Sequence, residues 1–207
     1  MITICPHCRN SNWDKEVLDN VITCPECGAN WDFIKMPLYI ITGCSGVGKT
    51  TAARELQRLT TDYVVLDADL FYNIMPHETE RDNFDQVEQI LSLSNNISQS
   101  GRAVIWAMAG NIDKLSQVYH ARFFRDIKVV ALICEEKTLR ERMTRGRGIT
   151  QESWIRSSVE YNEYFRTHKK IGKVLFSTID VEERTPEETA QCILKWIKGE
   201  FFQKIDL

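Results

Sequence analysis

The sequence has no apolar run approaching the ~20 residues that a membrane-spanning helix needs, so no span is expected. The basic stretch and apolar core of a secretory leader are also missing, because the chain opens Met1-Ile2-Thr3-Ile4-Cys5-Pro6. The expected compartment is therefore the cytoplasm. There is no excess of positive charge. A net charge of -3 and a pI near 5.9 exclude a broadly basic nucleic-acid coat, while leaving room for a local basic channel. No internal repeat and no low-complexity segment occur, which excludes repeat arrays and linker-dominated chains. What remains is ordinary globular composition, 43% hydrophobic and 27% charged. A chain of 207 residues holds one well-packed domain and a small appendage.

The seven cysteines divide into two groups. Cys44, Cys134 and Cys192 are scattered. Cys5-Pro6-His7-Cys8 and Cys24-Pro25-Glu26-Cys27 are C-x-x-C knuckles separated by fifteen residues. In a reducing compartment this is metal-site spacing and not a disulfide framework. Four thiolates make a tetrahedral sulfur site that suits Zn²⁺ best, with iron the main competitor. His7 is expected to be a loop residue, since four cysteines complete the shell. The stretch between the knuckles predicts a hairpin turning at Asp19-Asn20. Residues 1–35 thus resemble a zinc ribbon, too short to bury much core without its metal. Arg9, Lys15 and Lys35 stand against Asp14, Glu16, Asp19, Glu26 and Asp32, a poor balance for binding phosphates. Trp13, Trp31 and Phe33 can stack bases or dock the module on its neighbour, and the charge balance favours docking or protein contact. The short linker 33–37 ends in Pro37, which keeps the module close to residues 36–207.

The rest of the chain is organised around Gly43-Cys44-Ser45-Gly46-Val47-Gly48-Lys49-Thr50, a match to G-x-x-x-x-G-K-[ST]. The glycines let consecutive backbone N–H groups turn inward around phosphate oxygens. Lys49 reaches the β- and γ-phosphates, Thr50 offers a hydroxyl to Mg²⁺, and Thr51 continues the helix whose N-terminus faces the nucleotide. The β-rich run 38–42 precedes this P-loop and a good helix, 51–59, follows it. Strand, glycine loop and helix is the context the motif requires.

From residue 38 onward strands alternate with helices, predicting a parallel sheet covered on both faces. Strands are expected at 38–42, 63–66, 103–109, 127–134 and 174–179. Helices are expected at 71–75, 81–100, 114–124, 135–143, 151–167 and 185–198, the last opened by Thr185-Pro186 with a capping box to Glu188. The tail 201–207 is apolar enough to pack. Ligands in such sheets bind at the carboxyl ends of the strands. Asp67 and Asp69 follow the second strand and so sit beside the phosphate loop, suited to hold Mg²⁺ and to accept a proton from an attacking hydroxyl. Asp69 can alternatively cap the short helix at Leu70. The third strand ends in Ala109-Gly110 with no acidic residue, so a Walker B carboxylate is missing and metal binding falls to Asp67. Gly110-Asn111 is expected to bring backbone near the acceptor or the γ-phosphate. Arg140, Arg142, Arg145 and Arg147 cluster around a glycine-containing segment suited to a closing lid, or else form a solvated basic face. Cys44 is a redox liability near positive dipoles or a small residue that fits. Trp106, Trp154 and Trp196 read as core or domain contacts.

The P-loop, the D-x-D after strand two, the strand-three glycine and Leu139-x-x-Arg142-Met143-x-Arg145 together resemble the small P-loop kinases, in particular the nucleotide, shikimate and gluconate kinase group. The resemblance covers about residues 37–200. It implies an α/β fold with a five-stranded parallel sheet and the P-loop strand in the middle. It implies ATP and Mg²⁺ as cofactors, Zn²⁺ being the ribbon's. It assigns Lys49 and Asp67 to the phosphates and metal, Asp69 to the acceptor, and Arg142 with Arg145 or Arg147 to the lid. The region around Asp180 is brought loosely near the adenine. The expected activity is phosphoryl transfer to a nucleotide, nucleoside or other small acceptor. The alternative is a nucleotide-dependent regulatory protein, or a polynucleotide 5′-kinase, that uses the ribbon to contact protein or nucleic acid. Tyr72, His77, Glu78 and Arg81, within 71–85, are candidates for the acceptor pocket.

Overall fold

The structure is a computed structural model that describes residues 2–72 and 74–200. The tail 201–207 lies outside the described residues. The N-terminal part is a small antiparallel sheet of β1 (Glu16–Leu18), β2 (Val21–Thr23) and β3 (Asn30–Asp32), in that order. The hairpin turns at Asp19-Asn20 as expected, with Asp19 at φ 51°. The third strand is an addition. Asn30-Trp31-Asp32 holds one strand-former between two residues that strands disfavour, so only its pairing with β2 makes it a strand.

The main sheet has six strands. They are β4 (Leu38–Thr42), β5 (Tyr63–Asp67), β6 (Ala103–Ala107), β7 (Ile127–Ile133), β8 (Lys170–Ile171) and β9 (Val174–Asp180), ordered β5-β6-β4-β7-β9-β8. Five are parallel, with the P-loop strand β4 in the middle. The sixth, β8, was not expected. It is a two-residue edge strand antiparallel to β9, too short to carry any hydrophobic period. Helices α1 (Lys49–Leu59), α2 (Glu80–Ser98), α3 (Glu136–Glu141), α4 (Glu152–Thr167) and α5 (Pro186–Ile197) cover the sheet.

Strand β4 is buried at all five positions, as a strand covered on both faces must be. Its alternate residues divide between two cores. Tyr39 and Ile41 pack with Leu56 of α1 and Ile193 of α5. Leu38 and Ile40 pack with Ile90 and Leu91 of α2 and with Trp106. Each such side chain contributes roughly 1.5–3 kcal/mol on burial. The Trp106 indole N–H donates to Ser94 Oγ at 2.7 Å, so the buried ring leaves no polar group unpaired.

The helix expected over 114–124 is replaced by two 3₁₀ segments, Ile112–Lys114 and Tyr119–Phe123. The cause is Glu88 of α2. Its carboxylate accepts the backbone N–H groups of Tyr119 and His120, both at 2.7 Å, and these donors are lost to a continuous helix. The segment so held is the seat of the N-terminal sheet. Ile22, Phe33 and Phe123 form one apolar cluster. Trp13 stacks on Tyr119 with ring centroids 5.9 Å apart, and Gln99 bonds both backbone groups of Ile34. Segment 119–123 precedes β7 and Gln99 precedes β6. The N-terminal sheet therefore sits at the amino ends of the parallel strands, opposite the phosphate loop.

Candidate functional site

The P-loop follows β4 and turns through glycines at positive φ, Gly43 at 136° and Gly46 at 84°. Contact enforces both. A Cβ on Gly43 would lie 2.6 Å from the Leu132 carbonyl oxygen, and one on Gly46 would lie 2.7 Å from Met143 Cγ. Helix α1 starts at Lys49 with Gly48 as N-cap, no capping side chain and no acid in its first turn. Its first backbone N–H groups and its positive end are thus left for an anion. Lys49 Nζ donates to the carbonyls of Gly43 at 2.9 Å and Cys44 at 2.8 Å. Burial holds this ammonium below the ordinary lysine value, and the negative charges of Asp69 and Asp67 pull it back up. Cys44 is buried, and burial pushes its thiol up to about 12. It is a small residue that fits and not a reactive thiol.

The loop floors an open cleft of about 980 Å³ at the carboxyl ends of the strands. Ser45, Gly46, Val47, Gly48, Lys49, Thr50 and Thr51 line it, and so do Asp67, Asp69, Arg142 and Arg147. Asp67, not Asp69, caps the helical turn that follows β5, because its Oδ1 accepts the Asp69 N–H at 3.1 Å. The Asp69 carboxylate is left exposed toward the cleft.

The arginines separate into distinct situations. Arg142 Nη1 donates to Val47 O at 3.2 Å and Nη2 to Val181 O at 3.1 Å, so it braces the phosphate loop against the chain after β9. Arg147 Nη1 donates to Ser45 Oγ at 2.7 Å and the guanidinium lies 5.9 Å from the Trp154 ring. Arg145 does not line the cleft, and Arg140 is held by Glu136 and Glu152. The reason is the turn at Arg142–Gly146, which is π-helical. With this wider turn Arg142 and Arg147 are the arginines of the segment that line the cleft. The i,i+3 face-sharing of Arg142 and Arg145 that an α-helix would impose is lost.

Sequence reasoning left several lining residues out. Trp154 is 45% exposed and lines the cleft instead of the core, whereas Trp106 is core and Trp196 packs on Tyr39. Arg184, Pro186 and Thr189 line the far side, beyond β9. The capping box at Thr185 was readable, but nothing in it marks a cleft. Of the acceptor-pocket candidates only Tyr72 lines the cavity; His77 packs against Tyr72 with the rings tilted, and Arg81 pairs with Asp85. Ala107, Met108 and Ala109 line it in place of Gly110-Asn111. Asn111 bonds Asn83 instead.

At the other end of the molecule Cys5, Cys8, Cys24 and Cys27 converge, with their Sγ atoms all within 4.8 Å of one another. The knuckles repeat one backbone pattern. The Arg9 N–H bonds Cys5 O, and the Gly28 N–H bonds Cys24 O. Cys5–Cys27 and Cys8–Cys24 are each 3.7 Å apart. A disulfide needs about 2.05 Å. Four thiolates at about 2.3 Å from one tetrahedral ion would stand about 3.8 Å apart, so the donor set fits a metal of that kind. Lys15 is not an available basic charge. It is 0% exposed, and its Nζ donates to Asn10, Asn12 and Asp14.

No curated protein matches the sequence significantly. Among solved structures the chain is similar to a sugar kinase from Janibacter sp. HTCC2649, at 18% identity and TM-score 0.58, over 79% of this chain and 95% of that one. It is similar to shikimate kinase from Acinetobacter baumannii, solved with shikimate, at 21% identity and TM-score 0.51 over 83% and 98%. The Mycobacterium tuberculosis APS kinase, solved with AMPPNP and APS, matches at 14% identity and TM-score 0.54 over 79% and 99%. At these identities the likeness is one of fold. A family model described as AAA domain matches residues 40–163, well over half of the chain and inclusive of the P-loop, both carboxylates and the arginine turn. The chain therefore belongs to the AAA domain family, on the fold shared by P-loop small-molecule kinases.

Proposed function

We propose that the chain transfers the γ-phosphoryl group of ATP to a small-molecule or nucleotide acceptor. The observation that carries this reading is the single cleft whose lining joins the P-loop, two carboxylates and Arg147. Residues 43–51 would cradle the phosphates, with Lys49 leaving its loop carbonyls to meet them. Thr50 and Asp67 would hold Mg²⁺, which supplies charge neutralisation at the phosphates. Asp69, exposed beside Lys49, takes the proton of the acceptor hydroxyl as its oxygen attacks. Arg147, poised on Ser45, stabilises the charge that develops on the transferred group. Arg142 is engaged with two carbonyls and serves as a brace of the site.

In the same reading residues 1–35 form a Zn²⁺ ribbon and residues 36–207 the catalytic domain. The separations of the four Sγ atoms support zinc. The position of the N-terminal sheet, at the strand ends away from the cleft, speaks for a docked structural module and against a ribbon that delivers a nucleic-acid end to the cleft. The test is ADP release from ATP and Mg²⁺ across a panel of acceptors. Stimulation by an acceptor is the expected result. Slow acceptor-independent hydrolysis altered by a macromolecular partner would instead mark a regulatory NTPase.

A further inference from the structure

Strand order divides the cleft in two. With β4 in the centre, residues after β5 and β6 lie on one side of the phosphate loop and residues after β9 on the other. The β9 half contributes Val181, Arg184, Pro186 and Thr189. The β5–β6 half contributes Asp67, Asp69, Tyr72, Met108 and Ala109. Trp154 lines the same cleft from α4, with the Arg147 guanidinium 5.9 Å from its ring. It stands seven residues before Tyr161 on α4, two helical turns, so the two share a face. The Tyr161 hydroxyl donates to Ala109 O at 3.2 Å, just past the end of β6.

Charge is as unevenly divided as shape. Four cations line the cleft among the described residues. Lys49 and Arg147 sit on the phosphate loop, Arg142 spans Val47 and Val181, and Arg184 bonds Asp180 O after β9. None is supplied by the β5–β6 half. That half instead presents two carboxylates and the Tyr72 ring, 58% exposed with His77 on one side, while Trp154, 45% exposed, lines the cleft from α4. Leu70 and Ile74, which flank Tyr72, are exposed as well. An anionic acceptor would meet like charge there, and the cation nearest the rings, Arg147 over Trp154, is held on the phosphate loop by Ser45 Oγ. Exposed rings beside a cleft are surfaces for stacking.

We infer that the acceptor is uncharged and carries a flat heteroaromatic ring beside its hydroxyl, so that Tyr72 and Trp154 grip the ring while Asp69 meets the hydroxyl. A free nucleoside has this chemistry and serves as the probe. The inference rests on the phosphoryl-transfer reading above. The full-length protein is assayed with ATP and Mg²⁺ on a set of nucleosides, their monophosphates, polyols and a 5′-hydroxyl oligonucleotide. The highest kcat/KM is expected on a nucleoside. Tyr72→Ala and Trp154→Ala should raise the KM for that nucleoside roughly five- to a hundredfold, with the KM for ATP moving less than twofold. Tyr72→Phe and Trp154→Phe, which keep a ring, should restore it. Because Trp154 also faces Arg147, Tyr72→Ala is the cleaner arm. A preference for a monophosphate, polyol or oligonucleotide, or an unchanged nucleoside KM in the alanine variants, overturns the inference while the kinase reading stands. Failure of every acceptor to stimulate ADP release removes the kinase reading, and this inference with it.

Discussion

At the scale of single residues, the two arginines five positions apart have different work. Arg142 donates to two carbonyls on separate segments, Val47 and Val181. Arg142→Ala leaves both acceptors without their charged donor and should cost roughly 1.5–3 kcal/mol of stability, read as a lowered Tm and weakened ATP binding together. Arg147 bonds Ser45 Oγ and lies over an exposed ring. Arg147→Ala should leave stability within about 0.5 kcal/mol and lower kcat roughly 10²- to 10³-fold. Equal loss of stability in the two variants would contradict the division. Sequence spacing alone could not make this distinction, because it places arginines on a face only if the helix is α. The π turn at Arg142–Gly146 changed which pair lines the cleft. The burial of Lys15 was not legible for a similar reason. A lysine in a short polar stretch looks solvated until Asn10, Asn12 and Asp14 are seen to close over it.

At the scale of elements, what was legible had a strong local cause. The P-loop strand is a continuous apolar run, and the loop glycines are required by contacts with Leu132 and Met143. Helix α5 announced itself through Thr185 and Glu188, whose reciprocal bonds are both present. The elements that were missed depend on distant partners. Strand β3 needs β2, β8 needs β9, and segment 119–123 needs Glu88 from another helix. That last dependence can be measured. Burial acts to raise the Glu88 pKa, yet the His120 side chain and the His120 and Tyr119 amides outweigh it, and the carboxyl is held below the ordinary glutamate value. A depressed carboxylate contributes stability above its unfolded pKa, and that stability is lost as pH falls through the folded value. Glu88→Gln should therefore destabilise the protein by roughly 1–3 kcal/mol near neutrality. The gap between wild type and variant in thermal melts should narrow as pH drops below the ordinary glutamate range. A gap that stays constant into acid would show that the carboxylate charge is not what holds the segment.

At the scale of the whole molecule, the two candidate sites lie at opposite ends of the parallel strands. The cleft opens at the carboxyl ends of the strands. The cysteine cluster rests on residues at their amino ends, through Trp13 on Tyr119 and Phe33 on Phe123. Chelation of the metal, or Cys24→Ser, should therefore unfold the N-terminal sheet and lower the Tm. Trp13 and Phe33 would leave their seats, and the main sheet would remain folded by far-UV circular dichroism. The expected content is one zinc per chain in the native protein, lost with the chelator. A chelated protein with unchanged Tm would contradict a metal-held module. The sequence made the two ends visible as motifs, but not their arrangement. Nothing in two C-x-x-C knuckles or one P-loop says that they lie at opposite ends of the same parallel strands.

The central claim is that residues 43–51, with Asp67, Asp69 and Arg147, move a phosphoryl group. Its most direct test follows label from [γ-³²P]ATP into an acceptor, with Mg²⁺, in the wild type and in Lys49→Ala. The expected result is acceptor-dependent transfer in the wild type and none in the variant, whose circular dichroism and zinc content stay those of the parent. Transfer that persists in a folded, zinc-bearing Lys49→Ala protein would contradict the account.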